Sequence, residues 1–230
     1  MDVAWHREAA LVTWNQPSPF PTLTEDAVHL WRIPLDTPPV HVAALLSSEE
    51  RQRADSFRFT RHRDRFITAH GMLRRLLAAY LHIEPTQLRF QYGEHGKPAL
   101  AGMHFNLSRS ADFAVLGVAR TWPLGVDLEY LRDDLDFHSI AARMLSPTQV
   151  MLLNHCAPDV LPQAFYACWT QHEAYVKALG CGLTGIPPQP ETASWRQQHF
   201  FAAPNYLGAL VVTGYPSMVE YWDASRAVRG

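Results

Sequence analysis

The sequence predicts an α+β protein built from two similar-sized parts, and three observations carry that expectation. From Arg63 onward, Phe66, Ala69, Leu73, Leu76, Leu77 and Tyr80 recur mostly at steps of three and four, which marks an amphipathic helix, and three strand-like pieces follow it. Around Arg120-Thr121-Trp122-Pro123 the pattern restarts. The second series again places helices first and strands last, so the division falls into residues 1–120 and 121–230. No residue-level repeat accompanies this symmetry of pattern.

The 230 residues are 47% hydrophobic and 18% charged, which excludes disorder as the main state and supplies a sizeable core. A formal net charge of −2 gives no overall attraction to nucleic acid or to an anionic membrane, so any anion site must be built locally.

Taken in order, residues 1–25, rich in Pro, Thr and Trp, read as a loosely ordered arm before a first strand over 28–33. Ser47-Ser48-Glu49-Glu50 fits a capping box, in which a serine and a glutamate satisfy each other's orphan amides at a helix start, and a short Arg-rich helix to about residue 57 follows. The amphipathic helix from Arg63 ends before Pro85. Strands are expected over 88–92, 104–107 and 113–118, separated by the turn-rich GEHGKP and the polar SRSAD. Beyond the restart come a strand over 125–129, a helix near 137–143, another from Ser146-Pro147, and a long helix over about 162–179 that Gly180 closes in the left-handed conformation. After the Pro-rich GIPPQPE, three strands are expected over 195–201, 209–212 and 219–222.

Cys156, Cys168 and Cys181 are odd in number and lack metal-like spacing, and the N-terminal stretch has no export-signal pattern, so a reducing cytoplasm is the expected location. No apolar run approaches the roughly 20 residues of a membrane span.

Five segments contain residues suited to chemistry. In Gly125-Val126-Asp127-Leu128-Glu129 the strand period of two sends Asp127 and Glu129 to one face, about 7 Å apart. Two carboxylates so placed raise each other's proton affinity unless a cation lies between them, and a hard divalent ion such as Mg²⁺ suits them; a solvated strand edge shows the same pattern. On the long helix Glu173 and Lys177 stand one turn apart, as an ordinary surface pair also does. Lys177 and Lys97 are nevertheless the only lysines among 20 basic residues. Lys97 and Pro98 lie on a glycine-bearing turn that lacks the spacing of a P-loop. GCGLTG (residues 180–185) follows a helix, where a dinucleotide fingerprint needs a strand before it. The strand exit FNLSRS offers Ser108 and Arg109 as phosphate donors. Finally, residues 51–75 hold eight arginines, either a nucleic-acid patch or the wall of a pocket for a polyanionic small molecule, and no nucleic-acid motif supports the first.

GKP, FNLSRS, GVDLE and WTQHEAYVKALGCGL, in this order and spacing and with SSEERQRADSF and RDRFITAHGMLR upstream, resemble the signature series of the 4′-phosphopantetheinyl transferases of the surfactin-activating (Sfp) type. The resemblance covers about residues 46–186. It implies an α+β pseudo-dimer of two similar lobes with the active site in the cleft between them. The activity it implies is Mg²⁺-dependent transfer of the 4′-phosphopantetheine arm of coenzyme A to a serine of an apo carrier protein, with release of adenosine 3′,5′-bisphosphate. Carriers of fatty acid, polyketide and nonribosomal peptide synthesis all qualify, and a monomer without nucleic-acid or membrane partners is expected. By this resemblance Asp127, Glu129 and Glu173 are Mg²⁺ ligands, with Asp127, Glu173 and Lys177 catalytic. Lys177 meets the pyrophosphate, Lys97 and Pro98 line the nucleotide end, Arg53 and Arg65 hold the 3′-phosphate or adenosine side, and Ser108 and Arg109 contact phosphate.

Two positions depart from the pattern: Arg109 replaces the usual histidine after the serine, and His172 replaces the usual lysine before the helix glutamate. Arginine keeps a phosphate donor but cannot act as a base, which leaves the acceptor serine's proton to Glu173 or to water on the ion. A coenzyme A or carrier-binding module without turnover and an unrelated Mg²⁺ phosphohydrolase are the competing readings. The first gives no Mg²⁺-dependent product, and the second needs no protein acceptor.

Overall fold

The computed structural model describes residues 12–181 and 195–226, and it is a mixed α+β structure with two principal sheets. The Pro-rich GIPPQPE segment and most of GCGLTG lie outside the described residues. β1 (Ala27–Pro34) leads through two short 3₁₀ turns to α1 (Ser48–Asp55) and α2 (Thr60–Leu81). A two-stranded ribbon of β2 (Gln91–Tyr92) and β3 (Pro98–Ala99) precedes β4 (His104–Ser110), β5 (Phe113–Ala119) and β6 (Leu124–Tyr130). Helices α3 (Phe137–Met144), α4 (Pro147–Asn154) and α5 (Leu161–Leu179) follow, and then β7 (Trp195–Ala203), β8 (Tyr206–Thr213) and β9 (Met218–Asp223).

The first sheet has the order β4-β5-β1-β9 and the second β6-β8-β7. Their inner faces meet through Val28, Leu30, Val115, Leu124, Val126, Leu128, Phe200, Leu210 and Val212. α2 covers the outer face of the first sheet, where Met72, Leu76 and Leu77 pack on Trp31, Phe105 and Leu116. α5 covers the outer face of the second, with Ala174, Tyr175 and Ala178 against Ala209 and Val211. Strands buried on both faces need mainly apolar side chains; β8 supplies them up to Thr213, and β1 does so except at His29 and Arg32, which pair with Glu220 and Asp223.

The helix starts follow local chemistry. Ser47 Oγ accepts the Glu50 N–H at 3.2 Å while Glu50 Oε2 accepts the Ser47 N–H at 2.8 Å, the reciprocal box read from the sequence. Glu50 also receives Arg74 Nε at 2.6 Å, so this capping carboxylate ties α1 to α2. At the end of α5, Gly180 adopts φ +72°, and its N–H closes on the Val176 carbonyl.

Two local expectations change. The strand expected over 88–92 is reduced to Gln91–Tyr92, because Leu88 is buried and its carbonyl accepts Arg74 Nη1 at 3.2 Å instead of a strand partner. Residues 12–25 are not loose. Trp14 Nε1 donates to the Phe201 carbonyl at 3.0 Å, Asn15 bridges to Trp222, Phe20 stacks on Trp31, and Leu23 is buried. The last strand also crosses back, since β9 pairs in parallel with β1 and places Trp222 opposite Trp31.

Candidate active site

The site is built where β4, β6 and α5 meet. β6 alternates as the sequence predicts: Leu124, Val126 and Leu128 enter the core between the sheets, while Gly125, Asp127 and Glu129 occupy the other face, beneath α5. A Cβ on Gly125 would lie 2.4 Å from the Ala178 nitrogen, so the absence of a side chain lets the helix backbone rest on the strand. That close approach brings Lys177 and Glu173 over Asp127.

Asp127 is 3% exposed, and its Oδ1 receives Lys177 Nζ at 2.5 Å and Ser108 Oγ at 2.9 Å. Its Oδ2 is buried without a hydrogen-bond partner. Burial pushes the Asp127 carboxyl above the usual range despite Lys177 and Ser108. Glu129 is raised by burial and by Asp127, against hydrogen bonds from Ser110 and Trp169. Glu173 is raised by burial and by Asp127, against Lys177. Three carboxylates thus face one ammonium. They are not drawn into a closed ligand set: among the described residues no group of three acidic, histidine or cysteine side chains stands ready to hold an ion.

The Ser108 hydroxyl spends its single proton on Asp127 and accepts from the Leu128 N–H at 3.2 Å and from Lys177 Nζ at 3.1 Å. Lys97 lies alongside. Its ammonium sits on the carbonyls of Leu124, Lys177 and Ala178, the last two at the C-terminal end of α5, and burial lowers it to about 8. Lys97 and Pro98 line a cavity of about 250 Å³ with His95, Glu173, Lys177 and Gly180.

The arginines separate into two groups. Arg53 and Arg109 both lie against the Phe66 ring, with Cζ 5.5 and 5.6 Å from its centroid, and among the described residues neither has a carboxylate partner. Burial, and secondarily Arg53, lowers Arg109, the mark of a cation crowded by another. Arg65 instead pairs with Asp112, which also takes Arg61 at 3.0 Å, and these line a separate cavity of about 400 Å³. His172 is half-buried with its Nε2 unpartnered, and burial pushes the ring toward its neutral form, so it does not replace the charge of a lysine.

Sequence reasoning passed over Gly125 as a packing residue, Phe66 as the platform for two guanidiniums, and Asn106 and Ser110 on β4. The last two carried a signal: polar residues at every second position of a strand whose other positions are mostly apolar.

The class of protein follows from comparison with known families. The description "4′-phosphopantetheinyl transferase, N-terminal" matches residues 31–121, and "4′-phosphopantetheinyl transferase superfamily" matches residues 123–210. The chain belongs to this family of enzymes. Among particular relatives, it is 38% identical to the 4′-phosphopantetheinyl transferase HetI of Nostoc sp., over 91% of this chain and 98% of that one. It is 31% identical to a 4′-phosphopantetheinyl transferase of Bacillus subtilis over 61% of this chain and 63% of the relative, and 26% identical to the transferase Sfp of the same species over the same shares.

Proposed function

We propose that this chain transfers the 4′-phosphopantetheine arm of coenzyme A to a serine of an apo carrier protein in a Mg²⁺-dependent reaction that releases adenosine 3′,5′-bisphosphate. In this reading it works as a cytoplasmic monomer, and the substrate lies in a cleft between two lobes, residues 1–120 and 121–230, with β9 crossing from the second to the first. The observation that carries the reading is the buried Asp127 carboxylate, with one oxygen on Lys177 and the other unpartnered, flanked by Glu129 and Glu173.

An all-oxygen donor set with surplus negative charge suits a hard divalent ion, and the orphaned Oδ2 of Asp127 is the atom most in need of one. Asp127, Glu129 and Glu173 would hold it. When bound, Mg²⁺ supplies Lewis-acid neutralisation of charge on the pyrophosphate. The serine oxygen forms a bond to the β-phosphorus as the bond from that phosphorus to the bridging oxygen breaks, and the leaving group departs as adenosine 3′,5′-bisphosphate. Lys177, on a flexible stem between Asp127 and the cavity, supplies a point charge to the pyrophosphate. Glu173, its proton affinity raised by burial and by Asp127, accepts the serine proton. Arg109 cannot do so. Arg53 and Arg109, both without carboxylate partners, bind the 3′-phosphate across Phe66, whereas Arg65 contributes from the Asp112 side. Lys97 acts from the end of α5, holding the helix that bears Glu173 and Lys177.

The test is intact-mass measurement of apo acyl, polyketide and peptidyl carrier domains incubated with the protein and coenzyme A, with and without Mg²⁺. A Mg²⁺-dependent gain of one phosphopantetheine arm is expected. Coenzyme A binding with no gain on any carrier would establish a binding module instead.

A further inference from the structure

The two sheets meet edge to edge at β4 and β6 without a backbone ladder among the described residues. Side chains replace it. Asn106 Oδ1 accepts the Val126 N–H at 2.9 Å, Ser108 Oγ the Leu128 N–H at 3.2 Å, and Ser110 Oγ the Tyr130 N–H at 3.0 Å. Every second residue of β4 thus serves every second N–H of β6, and both series advance in the same direction along the chain. The Leu128 donor is buried and needs a partner, which Ser108 supplies, while the Tyr130 N–H held by Ser110 lies at the exposed end of the seam.

The two serines do more than accept. Ser108 donates its proton to Asp127, and Ser110 donates to Glu129 Oε2 at 2.9 Å. A hydroxyl has one proton, so Ser110 cannot give a hydrogen bond to a phosphate without releasing Glu129. Asn106 provides an internal contrast: its Oδ1 holds the same seam, yet among the described residues it bonds no carboxylate.

We propose that Ser110 is a positioning residue for Glu129: its hydroxyl, fixed on the Tyr130 N–H, aims that carboxylate toward Asp127 and so sets the affinity of the site for its divalent ion. The proposal rests on the reading of Glu129 as a metal ligand. The seam makes the device possible, because a carbonyl in the place of Ser110 Oγ would accept the N–H but have nothing to donate to the carboxylate.

The experiment measures Mn²⁺ binding to the full chain by loss of the free-ion electron paramagnetic resonance signal, in the presence of coenzyme A, for wild type, Ser110→Ala, Ser110→Thr and Asn106→Ala, with thermal unfolding of each. Ser110→Ala is expected to weaken Mn²⁺ binding about tenfold, as loss of a hydrogen bond to a charged group implies. Ser110→Thr, which keeps the hydroxyl, restores it. Asn106→Ala, which also removes a side chain lining the cavity beside Glu173 and Lys177, lowers the melting temperature and weakens Mn²⁺ binding by less than Ser110→Ala does. If Ser110→Ala does not fold, Ser110→Cys, which keeps the volume and loses the strong donor, gives the same reading. Wild-type affinity in the variant that lacks the donor overturns the proposal. So does equal weakening by Asn106→Ala, since the seam and not the hydroxyl would then set the site. Failure of the underlying reading is distinct and is seen first, because wild type itself would then bind no Mn²⁺.

Discussion

Gly125 lies so close beneath Ala174 that a Cβ on the glycine would stand 2.0 Å from the alanine's carbonyl oxygen. The obstacle is helix backbone, which cannot rotate away as a side chain does. Gly125→Ala must therefore lift α5 from β6, costing about 3 kcal/mol or more and drawing Glu173 and Lys177 away from Asp127. Urea unfolding checks the stability. A second check is that coenzyme A turnover falls further than the folded fraction does.

Asp127→Asn keeps the volume and the hydrogen bond from Ser108 while removing a buried charge whose protonation burial already favours. Turnover is expected to fall about 10²- to 10³-fold, in line with loss of one fixed electrostatic group in a dry site. The melting temperature should stay near the wild-type value. The same mass measurement over a Mg²⁺ series reads the loss, and higher Mg²⁺ should not restore the rate.

Glu50 links acid sensitivity to the α1–α2 junction. Burial alone would raise its carboxyl, but hydrogen bonds from His70, Arg74 and the Ser47 N–H outweigh it and hold the group at about 2, below its ordinary 4.5. A folded-state value below the unfolded one means that the unfolded chain binds the proton first. The contribution is complete above about pH 4.5 and is lost as pH falls through that value toward about 2. Between about pH 6 and pH 2.5 the wild type should lose about 2–3 kcal/mol more stability than Glu50→Gln, a difference measured by urea unfolding at each pH.

Arg53→Ala and Arg109→Ala each remove a guanidinium that has no carboxylate partner among the described residues. Each should raise the KM for coenzyme A about tenfold with little change in kcat at saturation. With 3′-dephospho-coenzyme A as donor, the wild type should show the high KM and the variants little further change. Arg65→Ala, which breaks a pair with Asp112, should additionally lower the melting temperature.

Much of the fold was legible because its signals are local. The capping box of Ser47 and Glu50, the helical spacing from Phe66 to Tyr80 and the alternation around Asp127 each depend on residues a few positions apart. The pairing of β9 with β1 was not legible, since Tyr221 and Leu30 meet across the length of the chain and parallel pairing leaves no turn between them. The site divided in the same way. Asp127 and Glu129 announce themselves by a period of two, whereas the pairing of Arg65 with Asp112, and of Arg53 with Arg109 across one ring, depends on how α2 lies against the first sheet. Ser110 sat within a quoted motif, yet its bond to Glu129 emerges only when β4 and β6 are set side by side.

The return of β9 to β1 also orders events during synthesis. Until Asp223 has left the ribosome, the side of β1 opposite β5 is an open edge, with Trp31 and Leu30 beside a vacant place in the sheet. The first half is made early but cannot close without the last strand, so a nascent chain carries an aggregation-prone border through almost all of its translation. Truncation before Met218 would leave that border permanently exposed, and separate expression of the two halves would leave the first sheet without its fourth strand and β9 without its partner, while the second sheet would keep all three of its strands.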